Sequence, residues 1–463
     1  IDIYKGRILT CDCSFSCNTA AAGGAISTYF TKSIRITGSH CEYNRAQQGG
    51  GVFIKFAATV SQANNCFLGN KANYGGAVIC TKLKQIFFSE IIFKNNTVKE
   101  RSSALYLTGS DSIVVHIVKC IFRSNSGKST GALEVRHFKH LKIINSVFTK
   151  NLVSRFGGGA VYCKSVDTIM SLKNVFLHNK ASIGGAFCGK KSHVVSFNQT
   201  YFAHNIARHY GGAIHIDNKV KSKGRNSRNY YFPGTVQNVN CSFFSNKAFK
   251  YKGGAIILEY VQYLQSIYCN FIKNIGAAVF VIHFQSIYFL HCKISKNILG
   301  VFNARYGDKV INECCIITDN HLAWKNQMEI IIDVRSCKLM VVANSKYENN
   351  HGSYYEGFYC IFVDRIIHIK SSYSYNRGIE SAAAYHLQCA NIVYIKCAII
   401  ENNVARSGLT KRSALIIIDN AHNVTFVNST INLNNGRCIS LSKVNHTQIV
   451  GTVFQHNYNS QAG

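Results

Sequence analysis

Apolar positions in this chain recur at two periods at once. Within short runs they alternate or cluster as β-strands do: Val-Val-His-Ile-Val at 114–118, Phe-Val-Ile-His-Phe at 280–284 and Ile-Ile-His-Ile at 366–369. The runs are rich in β-branched and aromatic residues, and no stretch with helical spacing separates them. Over a longer distance a second pattern repeats: an aromatic residue, an Asn three positions on, then in many copies Gly-Gly-Ala and a β-branched residue. Phe67 to Val78 and Phe202 to Ile214 show it in full, and Phe176 to Phe187 shows it with Phe in the last place.

Aligned on its asparagine, the unit falls at Asn18, Asn44, Asn70, Asn96, Asn125, Asn151, Asn179, Asn205, Asn246, Asn274, Asn297, Asn320, Asn350, Asn376, Asn403, Asn434 and Asn457. Steps run from 23 to 31 residues, with 26 recurring; the exception is 41, between Asn205 and Asn246. The aromatic stands at Phe15, Phe67, Phe93, Phe122, Phe148, Phe176, Phe202, Phe243 and Phe271, and gives way to Ile or Tyr further on. A fixed period of this length marks a solenoid, a propeller or an array. The L-x-x-L-x-L of leucine-rich repeats is missing, and a propeller blade needs about 40–50 residues. Three short strands and three turns per unit predict an all-β chain: a right-handed parallel β-helix of the pectin-lyase type, of about 17 coils.

That fold gives the motif a mechanism. Coils stack about 4.8 Å apart, so like residues meet like. An inward Asn can hydrogen-bond the neighbouring coils and repeat as a ladder, satisfying polar groups at a buried bend. Gly-Gly allows φ > 0 and close backbone approach at a corner. The phenylalanines fill the core and stack in register.

Composition narrows the reading. Of 463 residues 47% are hydrophobic and only one is Pro, so neither disorder nor a Pro-punctuated linker is expected. The chain reads as one continuous β-helix over 1–463. No apolar run approaches the roughly 20 residues of a membrane helix. Lys and Arg number 52 against 21 Asp and Glu, a formal charge of +31. This is either a solvated basic surface or an attraction to polyanions: acidic glycans, an anionic surface or nucleic acid.

Nineteen cysteines are spread along the chain, and no C-x-x-C pairs with a second pair or with His at zinc spacing. Five residues before the asparagine, Cys241, Cys269, Cys292 and Cys315 occupy one slot in four consecutive units. They form either a buried thiol stack or inter-coil disulfides, since the coil spacing lies in the allowed Cα range.

The long step carries an insertion, placed at 216–240. It includes Lys219, Lys221, Lys223, Arg225 and Arg228 with no acid between Asn218 and Tyr231. It should loop out from one corner, as a solvated basic loop or as a polyanion contact. Neither end reads as a polar cap. The expectation is a mature chain or fragment that continues or docks at its ends, and such a contact could assemble copies end to end.

Sequons stand at Asn95, Asn198, Asn240, Asn423, Asn428 and Asn445. Asn198, Asn240 and Asn428 lie beside core slots; Asn95, Asn423 and Asn445 are the better glycan carriers. A β-helix lyase or hydrolase would need clustered carboxylates. The acids are few: Asp319, Asp333 and Asp364 read as isolated surface groups, the last two in similar slots of neighbouring coils. His137 with His140 and His204 with His209 read as turn or surface residues. No G-x-G-x-x-G, Walker loop or G-x-S-x-G is present, and no cofactor is implied.

The pairing of F-x-x-N with G-G-A-[ILV], specific in the first half and reduced to the asparagine after Asn274, resembles the chlamydial polymorphic membrane proteins and similar surface proteins of protists such as trichomonads. The resemblance implies a secreted or surface-displayed β-helical adhesin. The expected function is therefore a non-enzymatic structural or adhesive solenoid of the cell exterior, meeting anionic glycans, a host or cell surface, or its own kind. A carbohydrate-active β-helix enzyme is the alternative. Nucleic acid fits the charge but is not favoured, because the aromatics sit at core slots.

Overall fold

The computed structural model describes residues 1–101, 104–220, 230–231, 234–249, 253–321, 330–351, 355–378, 382–388, 390–405 and 414–458. It divides into two compact units, Ile1–Lys250 and Tyr251–Gly463. In each unit parallel strands stack coil on coil as a β-solenoid, with about 16 turns over the chain and about 26 residues per turn. Seventeen asparagines enclose sixteen steps, which accounts for the difference from 17. Among the described residues there is no helix, so none is long and apolar enough to cross a membrane.

One turn of the first unit runs from the long strand Leu133–Ile144 through Val147–Thr149 and Leu152–Val153 to the next long strand, Val161–Leu172. The corners between them carry positive φ: His137 within the long strand, then Asn145, Lys150 and Gly158. Glycine was expected at one of these corners; ordinary side chains take the other three. Each left-handed residue costs about 1–2 kcal/mol. Backbone bonds to the next coil offset that cost, such as Asn145 N–H to Leu172 O and Lys150 N–H to Leu177 O, both 3.0 Å.

The centre of each short strand points inward. Phe67, Phe93, Phe122, Phe148, Phe176, Phe202 and Phe243 pair in register. Their rings stack at 4.7–5.2 Å and are buried. Phe15 is outside this stack. Its register partner is Cys41, which has no ring to extend the column, and Phe15 is only half-buried.

Beside the rings runs the asparagine ladder. Asn96 is typical: its backbone N–H and its Nδ2 both donate to Asn125 Oδ1, and Nδ2 also donates to Phe67 O. Its own Oδ1 accepts from the N–H and Nδ2 of Asn70. The pattern runs from Asn18 through Asn44, Asn70, Asn125, Asn151, Asn179 and Asn205 to Asn246. All these amides are buried except Asn18, which is exposed.

The glycine pair divides two jobs. Gly184 has φ +58, the left-handed turn. A Cβ on Gly185 would lie 2.1 Å from Gly212 O, so its role is close approach between coils.

The second unit keeps the plan with altered filling. Asn274, Asn297, Asn320, Asn350, Asn376, Asn403, Asn434 and Asn457 form a ladder of the same kind. Tyr347 and Tyr373 take the ring slot, stacked at 4.9 Å. Among the described residues its third face thins to isolated bridges such as Ile275 to Ile298 and His321 to His351 and one short strand pair, Arg377–Gly378 with Val404–Ala405, where the Gly-Gly-Ala block has gone from the sequence.

Candidate functional site

The residues singled out by sequence do not converge. Cys241 is buried in the first unit, and its thiol donates to Phe197 O and Val239 O at 3.3 Å. Cys269, Cys292 and Cys315 are buried in the second, and no described cysteine is in a disulfide. The side-chain hydrogen bond to Cys292, then burial, hold the Cys315 thiol above its usual range. The basic insertion is shorter than 216–240: Ile214–Asp217 and Thr235–Val239 are solenoid strands paired to the coil below. Lys219–Val220 pairs antiparallel with Tyr230–Tyr231, the base of a ribbon. Lys221, Lys223, Arg225 and Arg228 lie outside the described residues.

Among the sequons, Asn95 and Asn445 are exposed and Asn423 is half-buried. Asn240 and Asn428 are exposed as well, against expectation. They sit at left-handed corners with φ +51 and +45, which turn the side chain out although its neighbours point in. The acids are not isolated surface groups. Asp333 is buried and accepts from Arg335 Nε at 2.6 Å and Arg305 Nη2 at 3.2 Å. Its register partner is Tyr359, so it shares no slot with the exposed Asp364, which accepts from Asn391. Asp319 accepts from Asn349 Nδ2 at 2.7 Å. His137 is exposed at its corner, and His204 stacks on His178 at 4.9 Å.

The built site lies elsewhere in the first unit, where the long strands Leu133–Ile144 and Val161–Leu172 and the short strand Phe187–Lys190 put Arg136, Lys164 and Lys190 side by side in register. Two positions earlier in the same strands stand Glu134, Tyr162 and Cys188, also in register. Glu134 sits there, fully buried, between Tyr106 and Tyr162. Glu134 accepts from Thr130 Oγ1 and pairs with Arg136 Nε. The Arg136 guanidinium stands 5.4 Å from the Tyr162 ring centroid, a cation–π contact.

Beside this pair is a cavity of about 310 Å³. Arg101, Arg136, Lys164 and Lys190 line it with the hydroxyl residues Ser129 and Thr130, and among the described residues no carboxylate belongs to its wall. Burial works against the Arg136 charge, and Glu134 more than offsets it, so its pKa stands above the usual value. Lys164 is shifted down, by burial first and then by Arg136, Lys191, Lys190 and Arg101. Like charges stacked at coil spacing repel, and an anion in the cavity would relieve the repulsion.

The signal for this slot is legible in retrospect. Arg136, Lys164 and Lys190 each follow the core Ala of the corner block by four residues, in G-A-L-E-V-R, G-A-V-Y-C-K and G-A-F-C-G-K. Alignment on the asparagine did not bring it out, because the turn between Asn and Gly varies in length.

Exposed aromatics also stack on this unit's long face. Phe30 lies 4.5 Å from Phe56 and 5.4 Å from Tyr4, with Lys82 4.7 Å over Phe56. Phe30 and Phe56 stack face to face, whereas Tyr4 meets Phe30 at an edge.

The chain matches no protein-family model. Over 201 residues it is 22% identical to metabotropic glutamate receptor-like protein R of Dictyostelium discoideum. The match takes in 43% of this chain and 12% of that protein's length.

Proposed function

We propose that this protein is a non-enzymatic β-helical binding module of the cell exterior, which holds acidic saccharides through the cationic slot of its first unit. The observation that carries the reading is the row Arg136, Lys164, Lys190, joined by Arg101 around one cavity with no acid among the described residues of its wall. The cavity's size suits one carboxylated or sulfated sugar unit. Glu134 holds Arg136 in place from behind and leaves the two lysines to meet the ligand. The net charge of +31 adds long-range attraction. The repeat's resemblance to bacterial and protist surface proteins supports the same placement.

Salt-gradient elution from immobilised heparin tests it. The K164S/K190S variant, which leaves the Glu134–Arg136 pair intact, should elute at lower salt than the parent. A K293S/K296S control on the second unit should not. Equal elution of all three would overturn the slot reading, and turnover of an acidic polysaccharide would overturn the non-enzymatic one.

A further inference from the structure

No single stretch of the chain sets a C-x-x-C beside a second such pair or beside His at zinc spacing. The solenoid brings donors together from different coils. His40 and Glu42 flank the buried Cys41 on the short strand His40–Glu42, so both point outward on one side. On the next coil, Cys66 is the register partner of His40. His40 Nδ1 stands 3.6 Å from Glu42 Oε1, and one donor atom from each of the three residues lies within 4.8 Å of the others.

We propose that His40, Glu42 and Cys66 bind one divalent ion of the zinc class. Imidazole nitrogen, thiolate sulfur and carboxylate oxygen together form a donor set that zinc and cobalt(II) accept and that calcium and magnesium do not favour. Donor atoms around tetrahedral zinc lie roughly 3.3–3.7 Å apart, given bonds of about 2.0–2.3 Å. The His40–Glu42 separation already has that value, and a rotation of the Cys66 side chain closes the remainder. The backbone is held in place: His40 N–H donates to Cys13 O at 2.8 Å and Cys66 N–H to Ser39 O at 2.9 Å. His40 is 58% exposed, which leaves the fourth position to water or to a group from a partner. Three protein ligands with one open position is the arrangement of a reactive or bridging zinc, in contrast to a closed structural one.

The test uses the full chain, titrated with zinc against a chromophoric chelator and with cobalt(II) alone. The parent should bind one equivalent, and its cobalt form should show a sulfur-to-metal charge-transfer band. Loss of a direct ligand costs at least what loss of an outer-shell partner does, so H40A and C66S should each bind at least about tenfold more weakly. E42Q should weaken binding while keeping the charge-transfer band. C11S/C17S removes exposed thiols elsewhere on the unit and should bind as the parent does. Far-ultraviolet dichroism without metal confirms that each variant is folded. The proposal is overturned if the parent shows no cobalt–sulfur band, if H40A and C66S keep the parent affinity, or if C11S/C17S abolishes binding.

Discussion

Asn96 and Asn125 share one oxygen: the backbone N–H and the Nδ2 of Asn96 both donate to Asn125 Oδ1, at 3.0 Å each. Asn125 Nδ2 in turn donates to Phe93 O and to Asn151 Oδ1. Every polar atom of the amide is therefore used, and only asparagine has two acceptor sites and two donors at this reach. Aspartate would lack the donors, and its charge would be buried.

Asn125→Ala should consequently remove four side-chain hydrogen bonds and leave the backbone N–H of Asn96 without a partner in the core. With the orphaned N–H at about 1–3 kcal/mol and the other bonds at about 0.5–1.5 kcal/mol each, the loss reaches several kcal/mol. Asn18→Ala, at the exposed end of the same ladder, should cost under about 1 kcal/mol. Solenoids respond locally, so hydrogen exchange at coils around residues 96 and 125 is the appropriate measurement. Equal protection in both variants would contradict the ladder's role.

His368 links the second unit to pH. It is fully buried, its Nδ1 lies 2.9 Å from Tyr373 Oη, and burial pushes its pKa down to about 3. The folded pKa lies below the unfolded one of about 6.5. The unfolded chain therefore binds a proton that the folded one refuses across that window. The stabilisation from neutral His368 is complete above about pH 6.5 and is lost as pH falls toward 3, at up to about 1.4 kcal/mol per unit. His368→Phe should flatten this dependence. Phe289 and Phe426 lie on the inward face of strands equivalent to the one that carries His368, so the ring fits. Urea unfolding at several pH values between 3 and 7 reads the slope, and an unchanged slope would count against the buried neutral imidazole.

Thiol chemistry should separate the cysteines by depth. Burial pushes Cys120 and Cys337 up to about 12, whereas Cys11 and Cys17 are exposed. Iodoacetamide at pH 8 should modify Cys11 and Cys17 in the native protein, and Cys120 and Cys337 only after denaturation. Peptide mass spectrometry reports the order; early labelling of Cys120 would contradict the packing. The same experiment decides between free thiols and disulfides for Cys241, Cys269, Cys292 and Cys315, since disulfides would resist labelling until reduced.

The solenoid was legible in the sequence because its core contacts repeat. Phe122 meets Phe148, and Asn125 meets Asn151, only because each coil is bonded in register to the next. Periodicity along the chain is then periodicity in space, and residues that stack on their own kind announce it. What the sequence concealed lies on the outside and at the corners. Nothing local marks Lys150 or His178 as left-handed; the next coil's carbonyls impose it. Glu134 and Asp333 stand in near-identical settings, Glu-Val-Arg and Asp-Val-Arg, and would pass for surface charges. Both are buried, Glu134 against Thr130 and Arg136, and Asp333 against Arg305 and Arg335. The cationic slot and the His40, Glu42, Cys66 cluster likewise join residues from successive coils. Variable turn lengths shift those residues in sequence while the hydrogen-bonded register holds them in line. The repeat itself determined the fold and its ladders. Only the tertiary structure decided which of the varying outward residues meet, because that depends on register across coils.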